Sequence, residues 1–274
     1  MKILEKQVLS DDRGTRVIKM KVFSKEIPLK AKPGQFIVLM VCEEGERIPL
    51  TIVDKGSQDI TVIFQEAGLT TKLLGKLNVG DSLYALAGPL GHPTEIKNYG
   101  KVILVAGGVG IAEIYPVARA MREAGNHVVT VLGARTKDLL ILEDELRKTS
   151  DEFYVTTDDG SYVRKGFTTD VLGELLKNDK YDLVYAVGPI PMMQRVAQVA
   201  KGFNVKTIVS LNALMVDGTG MCGCCRVSVG GKTKFSCVDG PEFDAAEVNW
   251  EELVERNRIY TEQEKHICKL SVKQ

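Results

Sequence analysis

Neither sign of charge prevails in this chain: lysine plus arginine and aspartate plus glutamate number 36 each among 274 residues. A neutral molecule has no overall field to draw in nucleic acid or an acidic membrane surface, so neither is an expected partner. Long apolar runs are missing as well, and none reaches membrane-spanning length. The opening MKILEKQVLSDDRG lacks the apolar core of a signal peptide. The expectation is a cytoplasmic protein. Histidine is scarce, with three residues in all, and no His–Glu or Ser–His arrangement suited to acid–base or nucleophilic catalysis stands out. What is present is ordinary globular material, 44% hydrophobic and 26% charged, at a length sufficient for two domains.

The first hundred residues carry short alternating or β-branched runs: VIKMKVF, GQFIVLMV, PLTIVD, ITVIFQ and SLYALAG. Turn formers such as KPG, EEGE, DKGSQD and NVGD separate them, a spacing that predicts an antiparallel β-barrel. KLLGKL reads as one short helix among the strands. From Lys101 the rhythm changes. Apolar strands (KVILVAGG, VVTVLGA, EFYVTT, DLVYAVG, TIVSLNA) alternate with helical patterns (IAEIYPVARAMREAG, LEDELRKT, TDVLGELLK, PMMQRVAQVA). That alternation predicts a doubly wound parallel sheet covered on both faces. NWEE, with an asparagine cap and glutamate three residues on, starts a final polar helix near Asn249. The expected organisation is a β-barrel over 1–98, an α/β nucleotide domain over 99–210 and a small segment over 211–274.

Two turns mark strand ends where ligands gather in α/β sheets. VAGGVGIAEIYP places Gly107, Gly108 and Gly110 between a strand and a helix, where glycine allows a pyrophosphate to approach the backbone. The full dinucleotide fingerprint is absent, because its third glycine position is Glu113. A packing turn is the plain alternative. The second turn, GPIPMM, places Gly188 and Pro189 at the end of DLVYAVG.

ERIPLTI adds an arginine followed by proline and a hydroxyl: Arg47, Pro49, Leu50, Thr51. Proline fixes the backbone, and a guanidinium suits phosphate. Together the three motifs resemble the ferredoxin–NADP reductase superfamily, in which a flavin-binding barrel precedes a nicotinamide-binding domain. The resemblance implies that Arg47 holds the FAD pyrophosphate. It places Pro49, Leu50 and Thr51 along the flavin ring, with the Thr51 hydroxyl as the catalytic group near the reactive nitrogen. In EAGLTTKLL it implies that Gly68, Thr70 and Thr71 face the flavin phosphates. Gly107, Gly108 and Gly110 would face the pyridine nucleotide, with Gly188 and Pro189 beside the nicotinamide. In GARTKD, Arg135 with Lys137 suits a 2′-phosphate and so NADPH, while Asp158 and Asp159 follow the next strand.

The segment DGTGMCGCCRVSVGGKTKFSC holds Cys222, Cys224, Cys225 and Cys237, four of the six cysteines. In a reducing compartment such a cluster argues for metal ligation over disulfides. A zinc site on three of these cysteines plus one further ligand stays open, as do reactive free thiols, although His127 and His266 are far away in sequence. Cys42 and Cys268 stand alone and read as structural. A flavin reductase followed by D-x4-C-x2-C-x11-C resembles the small-subunit family of the electron-bifurcating NADH-dependent reduced ferredoxin:NADP oxidoreductases, also described as sulfide dehydrogenases. That resemblance implies a [2Fe-2S] cluster on Asp217, Cys222, Cys225 and Cys237, and NADH as the nucleotide. It also implies a heterodimer with a larger flavin and iron–sulfur subunit that couples to ferredoxin and NADP(H). The implied activity is an oxidoreductase exchanging hydride between NAD(H) and FAD and passing single electrons onward. The electron-transfer subunit of dihydroorotate dehydrogenase is the nearest alternative, with cysteine expected where Asp217 stands. A non-catalytic zinc-bearing nucleotide sensor is the alternative from another class.

Overall fold

Alternation of apolar residues predicts the first strands and also closes them into a barrel. In the computed structural model, which describes residues 1–12 and 14–263, this part has seven strands. They are β1 (Ile3–Asp12), β2 (Thr15–Phe23), β3 (Phe36–Met40), β4 (Arg47–Thr51), β5 (Asp54–Lys55), β6 (Asp59–Gln65) and β7 (Ala85–Leu90). Two short helices, α1 (Ile27–Lys30) and α2 (Leu69–Lys76), lie among them. Every pairing is antiparallel, in the orders β1-β2-β6-β5 and β4-β3-β7. The two sheets meet where β4 runs on toward β5 and where Lys2 bridges Ser82. Ile18, Met20 and Val22 of β2 fill the interior with Ile60, Val62 and Phe64 of β6. β1 is absent from the sequence expectation for a physical reason. Only Ile3 and Ser10 of its ten residues are buried, so it lacks the alternation that marks a half-buried strand.

Beyond the barrel lie β8 (Lys101–Gly107), β9 (His127–Ala134), β10 (Glu152–Thr157), β11 (Leu183–Val187) and β12 (Thr207–Ser210). They pair in parallel in the order β10-β9-β8-β11-β12. Helices α3 (Gly110–Glu123), α4 (Glu143–Lys148), α5 (Thr168–Asn178) and α6 (Ile190–Gly202) cover the sheet. The two-residue period of each strand assigns its side chains to the two faces. Val102, Leu104 and Ala106 of β8, with Leu183, Tyr185 and Val187 of β11, pack on α3 and on Val17, Val53 and Ile63 of the barrel. Ile103, Val105, Val184 and Ala186 pack instead on α5 and α6. The barrel is therefore docked on the α3 face.

The cysteine segment follows the last parallel strand. It forms β13 (Arg226–Val229), β14 (Lys232–Phe235), β15 (Glu242–Asp244) and α7 (Trp250–Asn257). β15 pairs antiparallel with β12 and extends the parallel sheet by an antiparallel edge, so this strand of the segment is continuous with the α/β sheet. Three- and four-residue strands are too short to show a period in sequence. α7 begins as NWEE predicts, with Asn249 Oδ1 accepting from the Glu252 amide (3.1 Å). Cys268 and His266 lie outside the described residues. No helix among the described residues is long and apolar enough to cross a membrane.

Leu104 is fully buried at the centre of the sheet, between barrel and α3. Leu104→Ala is expected to destabilise the chain by about 3 kcal/mol through lost transfer energy and a residual cavity, read as a drop in the urea midpoint.

Candidate functional site

Strand order, rather than any one motif, creates the site. β8 leads to β9 and β10 on one side, whereas β11 and β12 lie on the other, so connections reverse direction between β8 and β11. Ligands bind at such a switch point, outside the carboxyl ends of the strands. Both glycine-bearing turns end there. Gly108 has φ +59° with open space where a side chain would project, which leaves the backbone accessible. At Gly110 a Cβ would stand 2.7 Å from the Val187 carbonyl oxygen, so only glycine lets the first turn of α3 settle against β11.

These turns line a cavity of about 880 Å³, ample for a nucleotide cofactor. Gly107, Gly108, Gly110, Gly188, Pro189 and Arg135 all border it, together with Val17 and Gln65 from the barrel. Asn212, Ser210, Met192 and Glu113 also line it, and the motif reading assigned no role to any of them. Asp158 joins Arg135 on the lining. Burial and the neighbouring Asp159 raise its carboxyl, and Arg135 opposes the shift. Lys137, the other candidate for a 2′-phosphate, holds its ammonium over the Tyr162 ring at 5.0 Å and does not line the cavity.

On the barrel side, β4 pairs with β3 so that Ile37 faces Leu50 and Val38 faces Pro49. Arg47 at the start of β4 is exposed and has no ion-pair partner among the described residues. Its free guanidinium suits a diphosphate. The other flavin-phosphate candidates are more committed. Thr70 Oγ1 is buried and donates to Glu46 Oε2 (2.6 Å), and Thr71 Oγ1 accepts from the Gly68 amide (3.0 Å) at the start of α2. Glu46 is thus held beside a helix N-terminus, where negative charge is favoured.

The cysteine loop divides into a buried and an exposed half. Cys225 and Cys237 are buried with their sulfurs 3.1 Å apart, a hydrogen-bonded contact with no disulfide. Burial and Cys225 push the Cys237 thiol up to about 12. Both are therefore held as neutral thiols, and the charged thiolate form in such apolar surroundings would need a cation beside it. The Cys237 amide donates to Cys225 Sγ (3.5 Å), and the Cys224 amide to Cys222 Sγ (3.5 Å), the type of contact that tunes metal-bound sulfur. Cys222 is exposed, Cys224 is partly buried, and Asp217 Oδ2 accepts from the Thr219 amide (3.2 Å). Among the described residues no three His, Cys, Asp or Glu side chains converge on a metal position. The donors fit a cluster chemically, and Cys225 with Cys237 is the half already assembled. Arg256 of α7 clamps the loop by donating to the Cys224 carbonyl (3.0 Å), a role invisible in the sequence because it spans 32 residues.

The loop is also docked on the barrel. A Cβ on Gly218 would lie 2.8 Å from Val38 Cγ2, on the strand paired with β4. One buried cluster contains Phe36 and Val38 of β3 together with Met215, Cys225 and Cys237. A polar tie joins all three parts of the chain. Tyr185 of β11 donates to Glu242 of β15 (2.7 Å), and Thr94, which follows β7, donates to the same carboxylate oxygen. Burial raises the Glu242 carboxyl, and these two donors oppose the shift. Burial pushes Glu113 up to about 7, against the favourable influence of the Thr51 hydroxyl on its charged form.

Comparison with known proteins agrees with this division. Residues 212–249 match the iron–sulfur cluster binding domain of dihydroorotate dehydrogenase B, and residues 104–198 match the oxidoreductase NAD-binding domain. A Thermotoga maritima protein named as a dihydroorotate dehydrogenase B (NAD(+)) electron transfer subunit homolog is 50% identical, over 89% of this chain and 87% of its own. A probable dihydroorotate dehydrogenase B (NAD(+)) electron transfer subunit from Methanopyrus kandleri is 38% identical over 83% and 85%. A solved chain from work on flavin-based electron bifurcation by the NADH-dependent reduced ferredoxin-NADP oxidoreductase superposes with a TM-score of 0.92. It is 46% identical and covers 99% of this chain and 97% of its own.

The raised Glu113 carboxyl implies a sign for stability. A group whose acid form is favoured in the folded state contributes fully below its ordinary value of 4.5, and that contribution falls as pH rises to about 7. Glu113→Gln is expected to abolish this decline. Between pH 4.5 and 7.5 the variant should gain roughly 2 kcal/mol on the wild type, allowing for screening at the cavity mouth. Urea midpoints across that range check it.

Proposed function

The chain belongs to the family of electron-transfer subunits typified by that of dihydroorotate dehydrogenase B, and from this we propose that it is the small subunit of an electron-bifurcating NADH/ferredoxin:NADP oxidoreductase. In this reading it is an oxidoreductase that carries FAD and a [2Fe-2S] cluster, binds NAD(H), and works in the cytoplasm as half of a heterodimer. The observation that carries it is the contact between the cysteine loop and the barrel. Gly218 packs on Val38 of β3, the strand paired with β4, so the cysteine loop lies one strand away from Pro49 and Leu50, which supports the reading.

Bound FAD would link two-electron hydride exchange to the single-electron steps that a [2Fe-2S] cluster allows. The residues of the chain bind, orient and exclude water. Arg47 holds the flavin pyrophosphate, Pro49, Leu50 and Thr51 line the ring, and Gly68 with Thr70 and Thr71 shapes the second flavin loop. Gly107, Gly108 and Gly110 admit the nucleotide backbone at the switch point, while Gly188 and Pro189 seat the nicotinamide. Asp158 favours a free ribose hydroxyl over a 2′-phosphate and Lys137 is occupied elsewhere, which supports NADH. Asp217, Cys222, Cys225 and Cys237 are the cluster ligands. Met221 (89% exposed), next to exposed Cys222, and Val216 and Val238 of the same segment are exposed apolar side chains suited to a larger flavin and iron–sulfur partner. Through that partner, electrons would reach ferredoxin and NADP(H). The second reading, the dihydroorotate dehydrogenase subunit itself, shares these cofactors. Asp217 in place of a fourth cysteine favours the first.

Anaerobically purified chain is expected to contain one FAD, two irons and two acid-labile sulfides, each measured per chain; zinc without flavin would overturn the reading. Arg47→Ala should weaken FAD retention roughly 10- to 100-fold, the worth of a charge-assisted contact, as measured by flavin released on dilution. Asp217→Cys should lower the cluster midpoint potential, since thiolate stabilises the oxidised cluster better than carboxylate. A redox titration showing an unchanged or raised midpoint would reject Asp217 as a ligand.

A further inference from the structure

Between Cys222 and Cys225 the chain has two peptide carbonyls, those of Gly223 and Cys224. A guanidinium holds each of them. Arg226 Nη1 donates to the Gly223 carbonyl (3.1 Å), and Arg256 Nη2 donates to the Cys224 carbonyl (3.0 Å). Arg226 opens β13 beside Cys225, whereas Arg256 comes from the last turn of α7. That helix is fixed in its own right. Leu253 is buried in one cluster with Cys225 and Cys237, and Asn257 Nδ2 donates to the Asn212 carbonyl (3.1 Å). Adjacent side chains of α7 thus grip the cysteine loop at both Asn212 and Cys224. Among the described residues neither arginine has a carboxylate at ion-pair distance.

A carbonyl held in this way decides where the next amide points. Both peptides are trans, since the cis bonds among the described residues precede Pro89 and Pro241. In a planar trans peptide the C=O and the N–H face opposite ways. The first peptide shows the consequence. Its carbonyl is on Arg226, and its N–H, that of Cys224, donates to Cys222 Sγ (3.5 Å). The second peptide has its carbonyl on Arg256, so the Cys225 N–H faces away from that guanidinium, and no acceptor among the described residues takes it. Cys225 is buried, and an amide of a buried residue is costly to leave unpaired. We propose that Arg256, seconded by Arg226, is a positioning residue for the cluster: it presents the Cys225 amide to a cluster sulfur and thereby raises the reduction potential. Reduction adds one electron, and so one negative charge, with no bond or proton moved by these residues. Hydrogen bonds to sulfur and a nearby cation both favour the more negative form. Arg256 outweighs Arg226, because it is partly buried while Arg226 is exposed and its charge is screened by water and salt.

The inference rests on the proposed function, and its test separates the two. The EPR signal of the reduced cluster is followed while anaerobically purified full chain is titrated with dithionite. Arg256→Ala should lower the midpoint by about 59 mV, a tenfold change for a one-electron couple, roughly the worth of one charge-assisted hydrogen bond. Arg226→Ala should lower it by less. Arg256→Lys, which keeps the charge and a donor, should recover most of the shift. A clamp that is only structural would reduce iron content or melting temperature and leave the midpoint of the loaded fraction in place. That result, or a raised midpoint, would overturn the proposal. If Arg256→Ala takes up no cluster, Arg256→Gln gives the reading: it lacks the charge, so its midpoint should lie below the wild type, and an unmoved one counts against Arg256. Wild-type chain without a cluster would sink the proposed function together with this inference; a loaded wild type whose midpoint ignores Arg256 would sink this inference alone.

Discussion

The close approach of α3 to β11 is the constraint from which the rest follows. With the Val187 carbonyl 2.7 Å from where a side chain on Gly110 would begin, the helix can enter its crevice only on a glycine. That contact puts the carboxyl ends of β8 and β11 side by side, and with them both glycine turns. Backbone amides and a helix N-terminus then face the same cavity, the arrangement that suits a pyridine nucleotide. A strand order without the reversal would have sent the two turns to separate places.

The faces of the sheet divide the remaining work. Alternate side chains of β8 and β11 bind the barrel through α3 on one side and α5 with α6 on the other. The cysteine loop reaches both bodies, because β15 joins the sheet edge while Gly218 lies on Val38 of the barrel. Tyr185, Glu242 and Thr94, one from each part, share a single hydrogen-bonded carboxylate at the joint. The three parts of the chain are thereby tied to one another by shared buried clusters and this polar joint.

Charge is used sparingly inside this assembly. Arg135, Asp158 and Glu113 line the cavity, and among the described residues no cation is paired to Glu113. The buried thiols of Cys225 and Cys237 have only each other as hydrogen-bonding side chains, and burial disfavours the charged form of Cys237. Both are places where burial leaves an ionisable group unsatisfied, and such places concentrate at functional sites.

Much of this was legible without coordinates. Local patterns determined the barrel strands β2, β3, β4, β6 and β7, the alternation from β8 to β12, the Asn249 cap and the glycine, arginine–proline and cysteine motifs, whereas the two-residue β5 falls in a stretch that reads as a turn. Each is short-range chemistry: a period of two, a period of 3.6, a glycine turn, an arginine before proline. β1 escaped because an exposed strand has no apolar period, and β13 to β15 because they are too short to have one. Tertiary structure alone decided which motifs meet. Glu113 read as a departure from a fingerprint until the fold set it against Thr51, 62 positions earlier in the chain. Thr70 and Lys137 looked free until Glu46 and Tyr162 claimed them. Spacing along a chain encodes the residue types that a chemistry requires, but neighbours across a sheet are chosen by strand order and packing, which no local pattern contains.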